Sequence, residues 1–428
     1  MNALIATLPP AFRLRVVRCV LAVLLGATCG AVLAIGKQPS RVATAASIAN
    51  APAMNGKTAN GSAAEVDALL FRTMREISSN RLDLALTEID RVISSYPNFR
   101  LAHLIKGDLL LARWQPITAL GNTSHAPRER VEELRDEARV RLARYQQARP
   151  GDQVPRYLVQ LNSEQRHAFI VDTSKSTLYV FENHNGEPRY LADYYTTIGK
   201  NGIDKHREGD QKTPLGIYHV TGSIPRQKLA DFYGAAAFPI NYPNEWDRRL
   251  GRNGFGIWLH GTPSDTYSRP PRSSDGCVVL TNQDLEAVSR SIQVGLTPVI
   301  IVNGIEWVAP GGTRDLRMEL SQQLEAWRRD WESLDTDRYL KHYAANFTSG
   351  KLDLAQWAAR KRTVNASKDW VKLKLDKVSM LLYPGRSDLV VVTFEQAYSS
   401  SNLDNQMRKR LYWIKEGGAW RIIHEGAA

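Results

Sequence analysis

Cysteine is scarce in this chain: of 428 residues only three are cysteine, and Cys19 and Cys29 both fall in the first 36, leaving Cys277 alone in the remainder. With no partner there, Cys277 is not half of an internal disulfide, which excludes a small disulfide-stapled scaffold and leaves the thiol to be explained as chemistry. Runs of basic residues interleaved with aromatics are absent, so nothing argues for a nucleic-acid partner. Strong charge of one sign is also missing from the body of the protein. The formal net charge is +12, but residues 1–64 hold six Lys or Arg and no Asp or Glu, so the rest carries only +6. An apolar fraction of 43% and a charged fraction of 23% describe ordinary globular protein, and the length suits two or three domains with their own cores.

The start of the chain is of a different kind. Arg13, Arg15 and Arg18 precede an uncharged run of eighteen residues from Cys19 to Gly36, rich in Val, Leu, Ala and Ile. This is a basic region followed by an export segment, at the border between a long signal peptide and a short membrane anchor. Arginines on its N-terminal side favour leaving that end in the cytoplasm and sending the rest across, which gives a periplasmic protein, free or anchored to the inner membrane. Residues 37–64, rich in Ala, Ser, Asn and Gly, read as a flexible tether.

From 65 to about 150 the apolar residues recur at helical spacing, with Asn80 ending a first helix and Tyr96-Pro97-Asn98 a turn after a second. The stretch from Ala85 to Arg113 resembles one tetratricopeptide-type helical pair. One such pair cannot bury its own apolar face, so the region calls for the next domain, or a second copy of the chain in a homodimer, as its partner. From 155 to 310 the period changes to short β-rich runs: His167–Asp172 and Thr177–Phe181 about a hairpin, then Tyr190–Ile198, Gly216–Thr221, Gly256–His260, Cys277–Leu280 and Pro298–Val302, with one helix over Asn282–Ile292. Pro310-Gly311-Gly312 marks a boundary. Beyond it, over 315–428, helices are expected at Asp315–Ser333 and near Tyr339–Phe347, then four long alternating strands from Val371 to Glu425; Trp327, Trp331, Phe347, Trp413 and Trp420 supply a core of their own. This order resembles the nuclear-transport-factor-like cone fold. The class is therefore multidomain α+β: a helical N-terminal region, a β-rich domain and a C-terminal α+β cone.

The chemistry lies in the middle domain. Gly254-Phe255-Gly256-Ile257-Trp258-Leu259-His260-Gly261 is followed, with Cys277 seventeen residues after His260, by Ser273-Ser274-Asp275-Gly276-Cys277-Val278-Val279-Leu280. A thiol becomes a useful nucleophile when a neighbouring base or cation helps remove its proton, and histidine is the usual partner. Gly276 permits a tight turn that lets amides near Gly276 and Cys277 face a developing oxyanion. Read singly, Cys277 also fits a small buried hydrophobe and His260 a satisfied histidine at a strand end. A zinc site from His260, Cys277 and Asp275 lacks any paired-ligand spacing, and no cofactor or metal is called for.

These motifs, with Thr197-Ile198-Gly199-Lys200 and Gly209 to Tyr218 around Thr213-Pro214-Leu215-Gly216, resemble the L,D-transpeptidase catalytic-domain family of peptidoglycan enzymes over roughly 165–303. The resemblance implies Cys277 as nucleophile and His260 as base, with Gly276, Ser274, Gly261 and Asp275 forming or positioning the oxyanion site. It also implies peptidoglycan stem peptides as substrate, with an amine as acyl acceptor in a transpeptidase or water in an L,D-carboxypeptidase. A non-catalytic wall-binding scaffold is the rival of another class. Ser274 reads as a substrate-positioning group, a partner of His260 or a plain turn residue. The sequence departs from the family at Asp275, commonly His, and at Val279, commonly Arg. Asp275 would raise the thiol pKa unless it orients or charges His260. The lost arginine removes a carboxylate-binding group, for which Arg252, Arg272, Lys212, Arg269, Lys205 and Arg207 are all candidates.

Overall fold

The computed structural model describes residues 63–122, 126–147 and 150–428, so the expected export segment and nearly all of the tether lie outside the described residues. The described chain forms two compact units, one ending at Gln147 and the other running to Ala428.

The first unit consists of helices Ala63–Ser78, Leu82–Ser95, Arg100–Leu111 and Arg128–Gln146. Asn80, at φ +57, turns the chain between the first pair. The face that one helical pair leaves open is closed here by the other two helices, around Leu70, Ile89, Val92, Phe99, Ile105 and Leu142. Arg141 lies buried in this closure, 2.9 Å from Asp67 on the first helix and 2.9 Å from Glu137 on its own. Removing one member of such a buried group would leave an uncompensated charge, at a cost of roughly 3–5 kcal/mol.

The second unit is layered. A five-stranded sheet runs in the order Glu187–Tyr195, Thr177–His184, His167–Asp172, Pro298–Val302, Gly216–His219. Its central strands His167–Asp172 and Pro298–Val302 are apolar on both faces because both faces are covered. Phe169, Val171, Val299 and Ile301 pack toward a small four-stranded sheet that carries the candidate site. Alternate residues Ala168, Ile170, Ile300 and Val302 pack instead against Leu381, Leu389, Val391 and Tyr412 of a seven-stranded C-terminal sheet. That sheet is also covered twice: Val390, Val392, Leu411 and Trp413 point the other way, onto the helix Arg314–Glu332 through Leu324, Trp327 and Trp331. Side-chain alternation along a strand thus turns each continuous apolar run into two interfaces.

Consequently the β-rich region and the cone share a core. The short strand Leu158–Gln160 joins the edge of the C-terminal sheet beside Val371–Leu382, and Trp246 stacks on Tyr412 with ring centroids 6.0 Å apart. In the cone, the helix expected near Tyr339–Phe347 is split. Thr336–Leu340 is helical, but Tyr343–Ser349 is a strand running parallel to Ala419–Ala427. Tyr343 and Phe347 fit either period, and sheet pairing decides between them. A further helix, Leu354–Ala366, opens with a reciprocal cap between Asp353 and Gln356.

Candidate active site

Strand Trp258–His260 pairs in parallel with Val278–Val279, Leu259 opposite Val278 and His260 opposite Val279. Leu259 and Val278 enter the core. Trp258, His260 and Val279 therefore take the opposite face, and the same alternation, extended one residue back, puts Cys277 on it. The spacing that suggested a nucleophile and a base brings them to one face of neighbouring strands.

The turn before Cys277 is tightly held. Gly276 has φ +123, and a Cβ there would lie 2.7 Å from the Lys212 carbonyl oxygen, so backbone angle and space both require glycine. Thr213 Oγ1 accepts the Gly199 N–H at 2.9 Å and donates to the Gly276 carbonyl at 2.9 Å, which is the physical role of threonine in the Thr213-Pro214 turn. Ser274 Oγ accepts the Gly276 N–H at 3.1 Å and donates to the Cys277 carbonyl at 2.7 Å. Of its three readings, then, Ser274 is a turn residue bracing the nucleophile; its bonds go to the turn and not to His260. Because that hydroxyl occupies the Gly276 amide, the expected pair of oxyanion donors at Gly276 and Cys277 loses its first member.

His260 is buried, and its Nδ1 lies 2.7 Å from the Gly261 carbonyl. A carbonyl only accepts, so Nδ1 bears the proton and Nε2 carries the lone pair of the neutral ring, the form of a general base. The ring is walled by Phe232 and Tyr233, with centroids 6.0 and 5.2 Å away. Asn282 pins the surrounding chain: its Oδ1 accepts the Ala235 N–H at 2.9 Å and the Thr262 N–H at 3.2 Å, and its Nδ2 donates to the Thr262 carbonyl at 2.9 Å. The sequence showed Asn282 only as the first residue of a helix, whose cap is Thr281. The signal for its other role was the pair Gly234 and Gly261, both of which approach it too closely to carry a side chain.

Among the described residues no hydrogen bond joins Cys277 to His260; the thiol donates to the Gly256 carbonyl at 3.2 Å. Burial pushes the thiol pKa up to about 11, Asp275 adding to the rise while the Trp258 amide and the charges of Arg269 and Lys205 oppose it. Burial pushes His260 down to about 4, its bond to Gly261 opposing and the Arg269 charge assisting. The resting pair is thus neutral thiol and neutral imidazole, with the base already in its proton-accepting form at neutral pH.

The remaining candidates separate clearly. Asp275 is exposed and turned to Lys200 at 3.2 Å and Gln211 at 3.2 Å, so it does not orient His260. Arg252 pairs with Asp204 at 2.9 Å and with buried Asp247 at 3.4 Å. Buried Lys205 is likewise tied to Asp210 at 2.6 Å. Arg272 is exposed on a short strand beside Ile198, and Lys212 lends its backbone to the Gly276 contact. Gly261 meets Asn282 and cannot accept a Cβ.

The cone holds a cavity of about 430 Å³ lined by Trp331, Trp357, Tyr398, Lys361, Lys409 and Glu425. Lys409 pairs with Glu425 at 2.7 Å. Lys361 Nζ lies 4.0 Å from the Trp331 ring centroid, and burial lowers its pKa to about 7.

Two family models match the chain: an L,D-transpeptidase catalytic domain over residues 166–301 and a Cds6 C-terminal NTF2-like domain over residues 319–426. Among solved structures, Bd1075 from Bdellovibrio bacteriovorus is 30% identical with a TM-score of 0.57, the match covering 65% of this chain and 98% of that one. The helical cell shape determining protein Pgp2 from Campylobacter jejuni is 26% identical with a TM-score of 0.54, the match covering 63% of this chain and 95% of that one. No protein with a curated description matches.

Proposed function

The chain belongs to the L,D-transpeptidase catalytic-domain family with an NTF2-like C-terminal domain, and from that premise we propose that it is a cysteine acyltransferase acting on peptidoglycan tetrapeptide stems in the cell envelope. The observation that carries the reading is His260, held with its Nδ1 proton on the Gly261 carbonyl and its basic nitrogen unprotonated, on the strand face shared with Cys277.

In this mechanism Cys277 Sγ attacks the carbonyl of the L-centre of diaminopimelate as its proton passes to His260 Nε2. The thiol needs this help, since so little of it is thiolate at neutral pH. The tetrahedral oxyanion is met by the Cys277 amide, with Ser274 holding the turn that aims it. Collapse breaks the bond to the terminal D-Ala, the imidazolium returns its proton to the leaving amine, and a thioester remains. An amine acceptor then gives a cross-link or an attached protein, and water gives a tripeptide stem. The match to a helical cell shape determining protein supports a role in cell shape, and the basic-then-apolar start of the chain supports export to the periplasm.

Incubating the purified soluble chain with muropeptides, followed by mass analysis, tests this reading. Loss of D-Ala alone identifies water as acceptor; dimers identify an amine. Unchanged muropeptides would sink the enzyme reading in favour of a wall-binding scaffold.

A further inference from the structure

Two places before the nucleophile the chain carries a carboxylate where the family it resembles commonly has histidine. Asp275 is among the groups that raise the Cys277 pKa, so for the thiol alone an acid is poorly placed there.

Its surroundings hold Asp275 without saturating it. Asn201 Nδ2 donates to Gln211 Oε1 at 3.3 Å, and Gln211 Nε2 donates in turn to Asp275 Oδ1 at 3.2 Å. Lys200 Nζ lies 3.2 Å from the same oxygen. The Lys200 amide donates to the Ser274 carbonyl at 2.8 Å, which fixes the two charged residues side by side. Among the described residues no hydrogen bond reaches Asp275 Oδ2. The side chains of Lys200 and Asp275 are 48% and 68% exposed, an ion pair open to solvent and so a weak one. Asp275 thus offers an unused acceptor to a cation arriving from solvent, and Lys200 is a competitor that such a cation can displace.

The Asp275 Cα lies within about 7 Å of that of Cys277, the most that two residues can span. On the acyl-transfer reading above, the carbonyl attacked by Cys277 belongs to the L-centre of diaminopimelate, and a short methylene chain joins that centre to a D-centre bearing an ammonium. We propose that Asp275 binds the D-centre ammonium of the diaminopimelate residue under attack and so selects stems in which that amine is free. The assignment rests on that reading for the identity of the ligand. An ammonium brings three donors and no acceptor, which suits a carboxylate oxygen with no hydrogen bond of its own. Docked there, it also cancels part of the negative field on the thiol as the proton passes to His260. An amine already consumed in a cross-link is uncharged and loses both effects.

The test separates recognition from turnover. In the Cys277→Ala chain, which has no nucleophile, calorimetry at pH 7 compares a tetrapeptide stem with a synthetic stem in which hydrogen replaces the D-centre amine. The stem with the amine should bind about threefold more tightly, as expected of one exposed charge pair. Adding Asp275→Asn, which keeps the oxygen held by Gln211 and removes the charge, should make the two stems equal. Adding Lys200→Gln, which removes the competitor, should widen the preference. Adding Glu208→Gln, which removes an exposed carboxylate from the turn leading to Gln211, should leave it unchanged. The proposal fails if the Cys277→Ala chain does not distinguish the two stems, if Asp275→Asn retains the preference, if Lys200→Gln narrows it, or if Glu208→Gln abolishes it. Since no turnover is needed, a failure of the acyl-transfer reading appears separately, as unchanged muropeptides with the wild-type chain.

Discussion

Asn282 Oδ1 occupies the space that a side chain on Gly261 would need: a Cβ there would lie 2.1 Å away. The carbonyl that sets the tautomer of His260 thus belongs to a residue whose size is dictated by an asparagine on a neighbouring helix. Gly261→Ala should displace the loop and cut kcat far more than it raises KM. Asn282→Ala should do the same more mildly, at about 1–3 kcal/mol for the hydrogen-bonding groups left unpaired. Steady-state kinetics on muropeptides checks both, and an unchanged kcat in Asn282→Ala would remove this residue from the positioning of the base.

Cys277→Ser and His260→Ala should each abolish turnover while the thermal transition stays close to that of the wild type, because the hydroxyl is a far poorer nucleophile and the thiol needs its base. With the thiol raised to about 11 and the imidazole lowered to about 4, the free enzyme has no preformed ion pair. Alkylation of Cys277 without substrate should accordingly be slow at pH 7 and climb steadily through pH 9 and 10. A rate already at its plateau near pH 6 would mean a thiolate–imidazolium pair and refute the neutral resting state. A slow rate at neutral pH is thus the signature of a neutral resting pair and does not by itself favour the scaffold.

Asp275 faces Lys200 and Gln211 and touches the chemistry only through its charge. Asp275→His should lower the thiol pKa slightly and speed alkylation at fixed pH by less than roughly tenfold, as expected of an exposed charge in high dielectric. Slowed alkylation and turnover together would instead tie Asp275 to His260.

Residues 315–428 carry the aromatic core formed with the helix Arg314–Glu332, yet one whole face of their sheet is completed by the preceding domain. Expressed alone, this fragment would expose Leu381, Leu389, Val391, Tyr412 and Ile423, each worth about 1.5–3 kcal/mol when fully buried. It would also lack the edge strand Leu158–Gln160. The fragment should associate or bind hydrophobic dye in size-exclusion and fluorescence assays, whereas residues 150–428 should be monodisperse. A stable, monomeric 315–428 would show the shared core to be dispensable.

Lys361, with its pKa lowered to about 7, gives a signed pH dependence. The unfolded chain holds this proton up to the ordinary lysine range, while the folded chain releases it near 7, so the stability linked to this group rises as pH climbs between those values. Lys361→Met should therefore stabilise the protein most below pH 7, and its advantage should shrink toward pH 10. Denaturant titrations of both proteins at pH 6, 8 and 10 read this directly; an advantage that grows with pH would place the lysine in its charged form.

The sequence by itself determined what is local: where helices and strands alternate, where a tight turn needs glycine, and which thiol and imidazole are the candidates for the chemistry. Gly276 before Cys277, at φ +123, marks a local constraint of turn geometry that leaves its mark in the residue type, whereas Gly261 and Thr213 answer to Asn282 and Gly276 farther along the chain. Only the tertiary structure decided the rest. The apolar runs Leu389–Val392 and Pro298–Val302 are visible in the sequence, but not that alternate residues of one meet those of the other across a shared core. Nothing in the sequence marks Arg252 as the partner of Asp204 and Asp247, and only the fold brings the three together. Charge partners and sheet contacts are set by residues tens to hundreds of positions apart, and a single sequence does not show which distant groups the folded backbone brings within a few ångströms.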